Sequence, residues 1–224
     1  MDEPQTITRE GMRTPRAAGV AGIAFSLLLG CGLVLVRLAV PAAADANTTW
    51  VTDSAKRRSV EVALGLVPFA GIAFLWFIGV IRDRIGELED RFFATVFLGS
   101  GLLFVAMLFV GAAIAGGMLT DPALRSGVTT APGLWDLERR ISFTLINTYG
   151  IRMAAVFILS ATTIGIRTRI LPRWLVITGL VAGLVLLFGT SVSTWANLVM
   201  PIWAFVFSVD ILIRDRLSEP EVKD

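Results

Sequence analysis

The sequence predicts an all-α, polytopic membrane bundle of six transmembrane helices with both termini in the cytoplasm. Three observations predict it. Of the 224 residues, 55% are hydrophobic, and mean hydropathy is +0.74, against about 45–50% apolar usage in soluble domains. The apolar residues gather into blocks of about 20 residues, the length that crosses a hydrocarbon core of roughly 30 Å at 1.5 Å per residue. The blocks run without alternation. That excludes a β-barrel and leaves helices as the way to satisfy every backbone group in lipid.

Residues 1–16 are polar and include Arg9, Arg13 and Arg16, as befits a cytoplasmic tail. Segment one, 17–40, ends at Pro41-Ala-Ala-Ala-Asp45, which looks like a small-residue cleavage site. It is longer than the roughly 7–15 apolar residues of a secretory signal, so an uncleaved span is expected. Residues 41–58 form a polar loop in which Asn47-Thr48-Thr49 is a chance sequon match. Segment two, 59–81, stops at Arg82-Asp83-Arg84, and segment three, 92–119, carries no charge. The stretch 120–140 reads as the longest loop, broken by Pro122, Gly127, Pro132 and Gly133, with Trp135 as a headgroup anchor. Segment four, 141–166, exits into Arg167, Arg169 and Arg173. The 36 uncharged residues from Trp174 to Val209 would make one helix of about 54 Å, so they must turn. The polar run Thr190, Ser191, Ser193, Thr194 and Asn197 is where they can do so. Segments 174–190 and 195–213 follow, then a cytoplasmic tail, 214–224. Pro201 predicts a kink in segment six.

Orientation follows from the basic residues. With the N-terminus inside, twelve Arg and Lys lie on inner segments and six on outer ones. Segments two, four and six also end alike, in Ile81-Arg-Asp-Arg-Ile85, Ile166-Arg-Thr-Arg-Ile170 and Ile213-Arg-Asp-Arg-Leu217. Arginines so placed lay their stems along the acyl boundary and their heads among phosphates. Of the 20 basic residues only Lys56 and Lys223 are Lys. With the abundant Ala, Gly, Val and Leu, this suggests a GC-rich bacterial genome and a multi-pass place in the plasma (inner) membrane.

Composition also excludes chemistry. The chain has no His and a single Cys, Cys31, within segment one. Bis-His haem, HExxH zinc sites, imidazole-based catalysis and CxxC redox pairs are therefore absent. No cofactor and no metal site is expected. No basic patch interleaved with aromatics marks a nucleic-acid surface. Glu87, Glu89 and Asp90 crowd a short charged turn and read as solvated.

Four ionisable residues fall inside the predicted spans: Arg37, Glu61, Arg152 and Asp210. Such groups are costly in lipid unless paired or wetted. Arg37 and Glu61 sit at matching depth near the outer surface and are expected to form a structural ion pair. Asp210 is expected to contact Arg214 at i,i+4. Arg152 lies near the midplane with Thr144, Thr148 and Tyr149 on its helical face, Asn147 one residue off that stripe and Gly150 beside it. Arg152 reads first as a structural arginine that donates to carbonyls of a neighbouring helix or reaches outward past Tyr149; the alternative is an outward-opening pocket where it meets an anionic group. Small residues at i,i+4 recur: Ala18, Gly22, Ser26 and Gly30, then Gly111 with Ala115, and Gly179 with Gly183. They suit close helix packing, within the bundle or with a protein partner or second copy.

The stretch Arg169-Ile-Leu-Pro-Arg-Trp-Leu-Val-Ile-Thr-Gly179 is similar to the IPRWL…G segment of DUF4386-type uncharacterised bacterial membrane proteins. The resemblance implies a small multi-helix membrane protein and no site residues. Two functional expectations result. One is a non-enzymatic scaffold or accessory subunit. The other is a transporter or receptor for a small anionic or amphiphilic ligand, held in an outward-facing pocket by Arg152, Tyr149, Thr148, Asn147 and Thr144. Single cysteines at positions 86, 168 and 218, in a Cys31→Ser background, should label from one and the same face of the membrane; one of them labelling from the other face would refute the topology.

Overall fold

A computed structural model of the chain describes residues 14–40, 53–85, 91–120, 132–169, 171–189 and 194–218. The tails, the sequon, the acidic turn at 86–90 and the run from Thr190 to Ser193 lie outside them. The described residues form six helices and no strand: α1 (Thr14–Ala39), α2 (Ser54–Ile85), α3 (Arg91–Thr120), α4, α5 (Arg173–Phe188) and α6 (Val199–Ser218). Helix α4 is α-helical over Pro132–Thr144, makes a π turn at Leu145–Gly150, and is α-helical again over Ile151–Thr168. A 3₁₀ turn, Thr194–Leu198, leads into α6. Five of the helices are long and apolar enough to cross a membrane. The sixth, α5, has 16 residues, about 24 Å, slightly short of a full span. The chain thus has the architecture of a multi-pass membrane protein.

Two helices begin earlier than hydropathy predicts, for local reasons. The Asp53 carboxylate accepts hydrogen bonds from the Ala55 and Lys56 amides at 3.0 and 3.3 Å. This N-cap starts α2 at Ser54 instead of 59. Pro132, expected as a loop breaker, occupies the first position of α4, where its missing N–H costs nothing. The next turns are held by Asp136, which pairs with Arg139 at 3.2 Å and Arg140 at 2.7 Å. Trp135 accordingly belongs to a helix, packed against a small cluster of Ala39, Val60 and Leu119. Pro201 falls in the first turn of α6, just after the 3₁₀ turn. A missing donor is tolerated there, and the helix continues through it. Pro68 lies inside α2 without ending it.

The helices form a ring in chain order, each against the next, and α6 closes it by packing extensively on α1. The centre is aromatic. Phe25, Phe74, Phe77, Phe97 and Phe157 are fully buried, with Phe25–Phe74 and Phe97–Phe157 centroids both 4.6 Å apart. The exposed surface is also apolar: Leu27, Phe69, Trp76, Ile177 and Phe188 all face outward. Such a surface suits lipid and would drive aggregation in water.

Close approach makes the ring possible. Gly22 of α1 sits where a Cβ would fall 1.9 Å from Ser208 Oγ of α6 and 2.7 Å from the Phe77 ring of α2. Gly179 of α5 similarly meets Thr162 Oγ1 of α4, at 2.2 Å. At the far end of α4, Arg169 takes the left-handed conformation, φ 56°, which costs a non-glycine residue about 1–2 kcal/mol. Gly22→Ala should destabilise the detergent-solubilised protein by about 1–3 kcal/mol through overpacking, with partial rescue by Ser208→Gly. Thermal unfolding of the two single variants and the double variant measures both effects.

Candidate ligand-binding cavity

A polar feature lies at the end of the bundle where α1 finishes and α4 and α6 begin. A cavity of about 700 Å³ opens there between α1, α2, α3, α4 and the 3₁₀ turn before α6. That is within the roughly 300–1,000 Å³ of small-molecule sites. Its polar lining is Arg37, Arg139, Arg140, Thr144, Asn147 and Asn197. Its deeper wall is apolar, formed by Leu29, Leu33, Val67, Ala70 and Leu108. One helical turn below, Phe25, Phe74 and Phe104 make a floor, with Phe74–Phe104 centroids 5.3 Å apart.

The three guanidinium groups are held differently. Arg37, in the last turn of α1, lies over the Trp195 ring with its Cζ 5.5 Å from the centroid. Arg139 and Arg140 share the single carboxylate of Asp136. Asp136 stands in the polar first turns of α4, ahead of its apolar span. The Arg140 guanidinium, and after it that of Arg139, holds the Asp136 carboxyl below its ordinary value. It therefore stays ionised at neutral pH, one negative charge among three positive ones. Opposite, Asn197 donates to Asn147 Oδ1, and Asn147 Nδ2 donates to the Phe143 carbonyl at 3.1 Å. The Asn pair ties α4 to the start of α6. Ser142 Oγ, donating to the Gly111 carbonyl at 2.8 Å, ties α4 to α3.

The expected ion pair between Arg37 and Glu61 is absent among the described residues. Glu61 pairs instead with Arg57, one turn earlier on its own helix, at 3.6 Å. Equal depth on two helices does not fix direction around them, and α2 starts five residues before the expected position. The Asp210–Arg214 contact forms as expected, at 2.8 Å.

The expected pocket residues are split by the π turn. Thr144 and Asn147 line the cavity, whereas Thr148, Tyr149 and Arg152 are outside its lining. Tyr149 is 57% exposed on the outer surface of the bundle, and Arg152 Nη1 donates to the Thr148 carbonyl at 2.8 Å, within its own helix. The cause is geometric. A π turn carries one residue more than an α turn, which rotates the residues beyond it by about 100° relative to those before. The stripe Thr144–Thr148–Arg152 is broken: its first member lines the cavity and the other two do not.

Arg139, Arg140 and Trp195 are functional candidates that hydropathy left among loop and anchor residues. A readable signal existed: once α4 begins at Pro132, Arg140, Thr144 and Asn147 are spaced i, i+4, i+7 on one face. Comparison with protein-family models, curated proteins and solved structures finds no match.

Asn147→Ala and Asn197→Ala should each lower stability. A double-variant cycle should give a coupling of about 0.6–1.7 kcal/mol, the range of interhelical hydrogen bonds in lipid. Additive losses in thermal unfolding would show the two amides to be independent.

Proposed function

We propose that the chain is a non-enzymatic, six-span membrane protein, both termini cytoplasmic, that binds a small anionic amphiphile in the cavity beside Arg37. The observation that carries this reading is a basic mouth above an apolar chamber. Arg37, Arg139 and Arg140 line the mouth; Arg139 and Arg140 share the carboxylate of Asp136, while Arg37 lies over the Trp195 ring and pairs with no acid among the described residues. A guanidinium stacked on indole keeps its N–H fork available for a carboxylate or phosphate. An inorganic anion has no use for the apolar chamber, and a neutral hydrocarbon has none for three arginines; an amphiphile uses both. The aromatic floor favours holding the ligand over passing it through, hence a receptor or carrier role. The basic-residue bias supports a mouth on the outer face of a bacterial plasma membrane. A scaffold role accounts for the close-packed ring and leaves the cavity without a use.

Brominated stearate should quench Trp195 fluorescence saturably in detergent-solubilised protein, and the Trp195→Phe variant should lose that quenching. Arg37→Gln should weaken binding about tenfold, the value of one charge-assisted hydrogen bond. Asp136→Asn should strengthen it, and Arg152→Gln should leave it unchanged. Absence of saturable binding, or equal loss from Arg152→Gln and Arg37→Gln, would overturn the proposal.

A further inference from the structure

The α4–α5 connection holds a second cavity, about 650 Å³, at the opposite end of the bundle. Its charged lining is Arg169 and Arg173, and its apolar lining includes Ile166, Leu171 and Ile177. Two features distinguish it from an ordinary basic helix flank. First, it is pinned: Leu171 folds back onto the last turns of α4, so close that a Cβ on Gly165 would lie 2.1 Å from Leu171 Cδ1. Second, Arg169 adopts φ 56° and closes α4 through its N–H to the Ile166 carbonyl at 3.3 Å. Glycine is the usual residue at such a cap. An arginine that accepts a strained backbone there points to a use for its side chain.

Neither guanidinium has an acidic partner among the described residues. No Asp or Glu occurs between Glu138 and Asp210, so this hairpin contains no carboxylate of its own. Around the cleft, Ile166, Trp174 and Ile177 are 47, 48 and 61% exposed, an apolar strip running away from the charges along the outer surface of the bundle.

We propose that this cleft binds the headgroup phosphate of an anionic phospholipid, with its acyl chains along Ile166, Trp174 and Ile177. Two arginine forks match phosphate oxygens in geometry and charge, and basic clefts between spanning helices suit anionic headgroups at the membrane surface. A zwitterionic lipid brings a cation into the same cleft and loses that advantage.

Native mass spectrometry of the full chain in detergent, titrated with phosphatidylglycerol or phosphatidylcholine, tests the site. The wild type should retain phosphatidylglycerol in preference. Arg169→Gly, which removes the guanidinium and relieves the backbone, should lower that retention about tenfold with the lipid-free unfolding temperature held or raised. Arg169→Gly with Arg173→Gln should abolish the preference. Lys56→Gln with Arg58→Gln makes the same charge change at the other end and should leave it intact. Equal retention of the two lipids by the wild type, a folded Arg169→Gly protein that holds phosphatidylglycerol as before, or an equal loss in the Lys56/Arg58 control would overturn the site. Displacement of the lipid by inorganic phosphate would overturn the assignment to a phospholipid.

Discussion

Hydrocarbon offers no partner to a peptide N–H or C=O, and the rest of this structure depends on that constraint. Every described segment that faces the apolar exterior is a helix, and the hydroxyls inside the spans obey the same rule. Ser26 donates to the Gly22 carbonyl, Thr162 to Ile158, Thr163 to Leu159 and Ser208 to Ala204. Each bond stays within its own helix, at i−4. The side chains that would otherwise glue helices together are thus occupied. Association rests on shape: glycines opposite large side chains, and phenylalanines stacked across the ring. Gly22 does most at the closure, because α1 must touch α2 and α6 at once.

Polar groups that bond between helices concentrate where the ring loosens. Asn147 and Asn197 line the cavity and Ser142 bonds α4 to α3 close by in the chain, so two of the three are on α4. The π turn that follows decides which polar residues of α4 reach the interior. It gives Thr144 and Asn147 to the cavity and leaves Arg152 to bond its own helix at the Thr148 carbonyl. Arg152 thereby bonds within its own helix, while the charges at the mouth come from helix ends.

Charge balance gives the two ends of the bundle a common logic. From Arg139 to Val209 the chain has six arginines and no carboxylate. Asp136 partly neutralises the first two of them, Arg152 spends its donors on a carbonyl, and Arg167 lies over the Phe93 ring at 4.3 Å. Arg169 and Arg173 have no acidic partner among the described residues and stand beside an apolar strip. Guanidinium groups left in this state at a membrane surface suit anions that come from outside the chain, at the mouth and at the hairpin alike.

The number and rough extent of the described helices were legible in the sequence, because the length of an apolar block reports directly on the thickness of lipid it can cross. So was the break near Asn197, since 36 uncharged residues cannot be one span. Helix starts at Ser54 and Pro132 were hidden, because an Asp cap and a leading proline act on polar residues that hydropathy assigns to loops. The pairing of Arg37 was beyond sequence reasoning, for depth along a helix is encoded linearly while direction around it is set by packing. Most of all, the π turn escaped it: Leu145–Gly150 has no composition unlike its neighbours, and its one extra residue re-aims everything that follows. The sequence by itself determined that this chain folds as apolar helices with arginine at their ends. Only the tertiary structure decided which arginines share a cavity, because that depends on helix rotation, and rotation is fixed by contacts between helices far apart in the chain.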